Sequence, residues 1–329
     1  MRLDPHGEAS TFPRRADLPH IAGTPEDSEW FWGGSDELGR LNLLTAERIR
    51  KATNSVTTGH VVSLNLPLNI PDPALFGRKG LHHQIHKLGP GAFNDDQLTY
   101  NTQSSSQWDG FRHFADPKSG FFYNGLKTDD LSREEGDDLS LTTRLGIDAW
   151  AKRGIVGRGV LLDVYGWKKE SYDPFTDHPI TASDLSECAR SQGVNFETGD
   201  ILLVRTGWLS RYASLNAVER EKRAAMDAFE QSYSGLQASE DMKDFLHDNY
   251  FAAAATDSAN FEAWPSPSLE KSLHATLLPL WGMPIGELWH LEELATACKE
   301  LGRWHFLLTS SPGNVPGGVG SPPNALAIL

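Results

Sequence analysis

Gln103-Ser-Ser-Ser-Gln107-Trp-Asp109-Gly-Phe-Arg-His113 gathers amide, carboxylate and imidazole groups at spacings that suit a binding centre. If this segment leaves a strand or loop and enters a turn, positions 103, 107 and 109 converge, with His113 one turn further along. Histidines at 103 and 107 would offer two neutral nitrogens and an oxyanion, a sound ligand set for Zn²⁺ or Mn²⁺. This chain has Gln at both places. An amide oxygen is an uncharged ligand that suits hard cations and gives zinc little affinity. Residue types alone therefore leave two readings open. One is a site with altered metal chemistry; the other is a polar loop in which Asp109 makes a local turn bond and His113 is half-buried.

The same segment resembles the His-x-Gly-Thr-His-x-Asp-x-Pro-x-His signature of the cyclase family, which includes bacterial kynurenine formamidase and isatin hydrolase. The likeness extends to Phe31–Thr45, to Gly154–Asp163 and Gly199–Trp208, and to Leu273-His274 through Gly286-Glu287 and Gly320–Asn324. It covers about residues 30 to 329. The longer form Asn101–His113 is similar to a fungal branch of the family.

The resemblance assigns roles position by position. In two-metal members the two signature His and the Asp bind one ion; Gln103, Gln107 and Asp109 stand there, so that first site is expected to be lost. The second ion is held by the shared Asp, a later His and a Glu, matched here by Asp109, His274 and Glu287. These are the expected ligands of one divalent ion, Zn or Mn, if the protein uses a metal at all. The last signature His, His113, is the family's acid/base. Without the resemblance, His274 reads as a half-buried histidine and Glu287 as a carboxylate in the first turn of a helix.

Three functions fit these residues. In the first, the ion polarises a carbonyl or activates water, His113 moves the proton, and an amide, ester or lactone is cleaved while Gln103 and Gln107 orient substrate. In the second, no metal binds. His113 and Asp109 then run an isomerisation, dehydration or ring closure, with the Gln amides holding a carbonyl or enolate. The third is a non-catalytic small-molecule binder. Trp108 is a candidate substrate contact because of its neighbours, and the Tyr123 hydroxyl a candidate donor to a carbonyl; Asn124-Gly125 also reads simply as a turn. His82, His83 and His86 lie in a strand where adjacent side chains oppose each other, which suits an exposed polar edge better than a metal site. Neither a glycine-rich phosphate loop nor a nucleophile elbow is present.

The elements that must position these groups read as α/β. Apolar runs at Val160–Val164, Ile201–Arg205, Phe251–Ala255 and Trp304–Leu308 predict buried strands, and His60–Leu66 an alternating one. Helices are expected over Thr45–Ala52, from Thr181 to about Ser191, over Asn216–Gln231, from Ser239, and from Leu291 to a stop at Gly302. Gly313–Pro323 is expected to be an ordered loop near the site. The resemblance implies one domain with a mixed sheet of the swivelling β/β/α type over 29–329. It is preceded by an extended arm, residues 1–28, that serves contacts in a homodimer or homotetramer.

With 329 residues, 39% of them hydrophobic and 22% charged, the chain can bury a substantial core. A formal charge of −14 argues against a nucleic-acid backbone or an anionic membrane as main partner and leaves a small-molecule substrate. Residues 1–28 are polar, without the apolar run of a signal peptide, and no window has the length of a membrane span. Cys188 and Cys298 read as free thiols. A cytoplasmic protein is expected.

Overall fold

Three of the apolar runs become the centre of a mixed sheet. The computed structural model describes residues 2–91, 93–131 and 142–329. Among these, the main sheet has nine strands, in the spatial order β1 (Val61–Ser63), β13 (Ala325–Ile328), β11 (His305–Ser310), β5 (Ile155–Leu162), β7 (Ile201–Val204), β9 (Ala253–Thr256), β10 (Ile285–Glu287), β4 (Gln107–Asp109) and β12 (Gly320–Ser321). The four strands β5, β7, β9 and β10 run parallel, and every other neighbouring pair is antiparallel. Every residue of β7 and β9 is buried, as a strand covered on both faces requires. By contrast β11 and β1 alternate, because one of their faces is less covered. Two smaller pairs complete the strands: β2 (His82–Leu88) with β3 (Phe93–Thr99), and β6 (Pro179–Ile180) with β8 (Gly235–Leu236).

Local signals place most helices where the sequence puts them. Thr181 opens the helix Ala182–Ser191 with a reciprocal cap: its hydroxyl accepts from the Asp184 amide at 3.0 Å, and the Asp184 carboxylate accepts from the Thr181 amide at 2.9 Å. Thr181→Ala is expected to lower stability by about 1 kcal/mol in urea unfolding monitored by circular dichroism. A loss below about 0.3 kcal/mol would mean that the cap is redundant. Gly302 ends the helix Glu292–Leu301 with φ of 61°, a left-handed conformation that favours glycine.

Two expectations change, and the exposed polar edge expected at His82, His83 and His86 is found. The helix expected over Asn216–Gln231 stops at Ala224, because the Asp227 carboxylate takes the Phe229 amide at 2.9 Å and turns the chain. Residues 2–28 hold two short 3₁₀ turns, Ala9–Thr11 and Arg15–Asp17, rather than running fully extended. They dock on their own chain: Leu3 is in the core, the Ala9 amide donates to Thr198 at 2.8 Å, and Tyr250 donates to the Pro13 carbonyl at 2.6 Å. The β2–β3 pair is exposed along its whole length, and His83 pairs with Asp96 at 2.9 Å instead of with its neighbouring histidines. No helix among the described residues is long and apolar enough to cross a membrane, and both cysteines are buried and free.

Candidate active site

The site forms where β4 is clasped between β10 and β12. Gln107 lies directly opposite Glu287 and Asp109 opposite Ile285, while Gly320 pairs with Asp109 from the other side. Gly313–Pro323 therefore does reach the site, through β12. A Cβ on Gly286 would lie 2.5 Å from the Trp289 ring nitrogen, so only glycine lets that indole donate to the Gln107 carbonyl at 3.0 Å and pin the strand.

Strand alternation sorts the signature. Side chains two apart share a face, and Gln107 and Asp109 enter the site together. Trp108 goes the other way: it is fully buried against Trp150 and Trp289, and its indole donates to the Ser310 hydroxyl at 2.9 Å. The expectation that Trp108 contacts substrate is therefore not supported by its position. Tyr123 is likewise in the core, packed on Phe111 and donating to Asp36 at 2.9 Å.

Five acidic and basic side chains meet. Asp109, Glu262 and Glu287 are only 0, 1 and 3% exposed around one imidazole, His274. His274 pairs through Nδ1 with Glu262 at 2.7 Å, and its Nε2 faces Glu287 at 3.3 Å and Asp109 at 3.7 Å. His113 is the fifth; one ligand atom each from Asp109, His113 and His274 falls within 4.8 Å of the others. The segment after helix Ala217–Ala224 and the loop after β9 supply the flanks, through Phe229 and Glu262.

The two glutamines act as donors. The Gln103 amide gives one hydrogen to Asp109 Oδ1 at 2.5 Å and the other to His113 Nδ1 at 3.0 Å. The Gln107 amide donates to Glu287 Oε2 at 2.7 Å and more weakly to Asp109 Oδ1 at 3.4 Å. This is the opposite polarity to a metal ligand, which would turn its oxygen inward. It also leaves neither amide a hydrogen for a substrate carbonyl, because Asp109, Glu287 and the His113 ring have taken them.

Burial and charge then set the protonation. Burial would raise the Asp109 carboxyl, but His113, His274 and Gln103 hold it at about 2. Burial lowers His113, assisted by His274 and Arg78 and opposed by Asp109, so the ring is neutral at neutral pH. With Nδ1 accepting from Gln103, its proton sits on Nε2. His274 moves the other way: burial would lower it, but Glu262, Asp109 and Glu287 raise it well above the ordinary histidine value. Glu287 is pushed up by burial and by Asp109.

These residues fit a divalent cation. Carboxylates outnumber the one imidazolium that could balance them, and unbalanced buried charge is costly. Among the described residues, Asp109 Oδ2 is a buried oxygen without a hydrogen-bond partner. Asp109, His274 and Glu287 would hold the ion, each carboxylate oxygen keeping spare lone-pair capacity. Glu262 would fix the His274 ring behind it. Glu262→Gln is accordingly expected to weaken metal affinity about 10- to 100-fold in a competition titration against a fluorescent chelator. An unchanged affinity would show that the Glu262 contact does not orient the ligand.

A cavity of about 270 Å³ opens beside these groups, and His113, Glu262, His274 and Glu287 are part of its wall. The rest of the lining is largely apolar, led by Phe76, Phe114, Phe229 and Trp264. None of these, nor Glu262, stood out in the sequence. An acid just past the end of a buried strand was the only available signal for Glu262.

A family model described as "Putative cyclase" matches residues 32–263. A crystal structure described as a novel cyclase is 32% identical, with a TM-score of 0.80 over 92% of this chain and 97% of that one. Isatin hydrolase A from Labrenzia aggregata, solved with benzyl benzoate, is 15% identical, with a TM-score of 0.56 over 82% of this chain and 93% of that one. The Ralstonia solanacearum isatin hydrolase A is 16% identical, with a TM-score of 0.56 over 82% and 91% of the two chains. At these lower identities the likeness is one of fold. Among curated proteins no sequence match was found.

Proposed function

We propose that this chain, which belongs to the cyclase family, is a hydrolase that cleaves an amide, ester or lactone in a small aromatic or cyclic carbonyl compound. One observation carries the reading: three buried carboxylates and His274 converge around an unpartnered Asp109 oxygen, beside an aromatic cavity whose wall includes Glu262, His274 and Glu287. The named function of structural relatives, isatin hydrolysis, belongs to the same reaction class.

Asp109, His274 and Glu287 are the proposed ligands of one Zn²⁺ or Mn²⁺. When bound, the ion supplies Lewis-acid polarisation of a carbonyl and makes water a better nucleophile. His113 presents Nε2–H to the bound molecule as a hydrogen-bond donor to the oxygen or nitrogen that leaves, and the proton released by the attacking water is the one that atom gains. Gln103 fixes the His113 ring and Gln107 fixes Glu287, so both amides are positioning groups. The phenylalanines and Trp264 exclude water and hold a planar group.

A second reading, metal-free isomerase, dehydratase or cyclase chemistry on His113, is favoured by the raised His274 alone. Its imidazolium would lie among the acids where a cation belongs. Metal analysis by plasma mass spectrometry, before and after chelation and reloading, separates the two, together with a panel of aryl esters, anilides and lactones followed by pH-stat. About one ion per chain, with hydrolysis lost on chelation and restored by Zn²⁺ or Mn²⁺, supports the metallohydrolase. No ion under any loading overturns it.

The proposed setting is a cytoplasmic homodimer or homotetramer acting on a small molecule, in keeping with the net charge of −14. The β2–β3 pair supports assembly: it exposes Ile85, Phe93 and Leu98 to 66, 59 and 45%, and a two-stranded ribbon is marginally stable in isolation. Light scattering that returned a monomer mass would refute the oligomer.

A further inference from the structure

Among the described residues Arg78 is the one lysine or arginine in the cavity wall, and the acids and imidazoles of the site do not use it up. Its guanidinium donates through Nη1 to the Gln103 carbonyl at 2.6 Å and lies 5.1 Å from the Phe76 ring centre. Among the described residues it pairs with no carboxylate within ion-pair distance. It is half-buried, so its Nε and remaining Nη2 donors stay available to the cavity. A cation fixed on one side by a backbone carbonyl and an aromatic face, and left open on the other, is preorganised for a planar anion.

We infer that Arg78 is the carboxylate-binding residue of this cavity, so that the compound it accepts combines an aromatic ring with a carboxylate separate from the reacting carbonyl. The inference rests on the reading of the cavity as the substrate site. The chemistry of the wall selects this class. Its aromatic lining takes the ring, whereas Glu262 and Glu287 repel an anion that no cation meets. One forked guanidinium matches the two oxygens of a carboxylate. A phosphate dianion calls for more donors than this apolar wall holds. Arg78 is a specificity residue in this scheme: it binds the substrate away from the bond that breaks.

Calorimetric titration of the full chain with 2-naphthoate and 2-naphthamide tests the inference, in the wild type, Arg78→Gln and Arg78→Lys. The expected result is naphthoate binding about 10- to 100-fold tighter than the amide in the wild type, the value of a charge-assisted hydrogen-bonded pair. Arg78→Gln should erase that preference with the amide affinity unchanged, which also reports an intact cavity, and Arg78→Lys should keep part of it. A naphthoate preference that survives in Arg78→Gln overturns the inference, since the carboxylate is then held elsewhere, and equal wild-type affinities overturn it too. If neither compound binds any of the three proteins, the cavity is not the ligand site, and the substrate reading falls along with this one.

Discussion

Asp109→Asn and His274→Ala should each lower hydrolytic turnover by about 10³-fold or more and release the bound ion, by an effect of at least about 4 kcal/mol. Asp109 holds the extreme position because it touches every part of the site: it accepts from both glutamine amides and faces His274. Its unpartnered Oδ2 is a ready ligand atom, and an amide at that place supplies a weaker, neutral donor. The same variant should also be less stable than the wild type after chelation. The site holds the Asp109 carboxyl at about 2, below its ordinary value, so His113, His274 and Gln103 stabilise its charge without any ion. Thermal unfolding in chelator checks this. An unchanged melting temperature would mean that these contacts add nothing to folding, and turnover within about threefold of wild type would remove Asp109 from the reaction.

His113→Ala is the second large effect, an expected fall of about 10²- to 10³-fold in kcat, the range of one preorganised hydrogen-bond donor. The diagnostic part is the ion. His113, Asp109 and His274 place ligand atoms within 4.8 Å of one another, so His113 has the geometry of a ligand as well as that of a donor. If it serves as the hydrogen-bond donor, metal content stays at the wild-type level while kcat falls and KM changes little. Loss of the ion in His113→Ala would reassign it to the ligand set and leave Glu287, whose oxygens already accept from Gln107 and the Phe261 amide, as a structural acid. Unchanged turnover with retained ion would remove His113 from the reaction.

Much of this site was legible before any coordinates. Spacing in Gln103–His113 predicted convergence, and Asp109 and His113 do meet, because a short strand followed by a turn brings residues four apart together. Resemblance, not local pattern, singled out His274 and Glu287. The alternation that puts Gln107 and Asp109 on one face necessarily turned Trp108 onto the other, a consequence that period two alone should have signalled. Tyr123 went to the core because Asp36, far away in sequence, satisfies its hydroxyl.

The rest required the fold. Glu262 and Arg78 sit in loops with no periodicity, and they join the site only because β9 and the segment before β2 end beside the same cavity. The shortened helix at Ala217–Ala224 depends on an Asp227 side-chain bond that competes with the helical one, and that competition delivers Phe229 to the wall. What the sequence by itself determined was the α/β class, the buried strands and the signature groups, since period, burial and residue type are local properties. Only the tertiary structure decided the polarity of the glutamine amides, the company of three carboxylates around His274 and the unpaired charge of Arg78. Hydrogen bonds and Coulombic interactions are made between groups that meet in space, and residues 78, 107, 262, 274 and 287 meet only when β4, β10 and the loop after β9 are assembled.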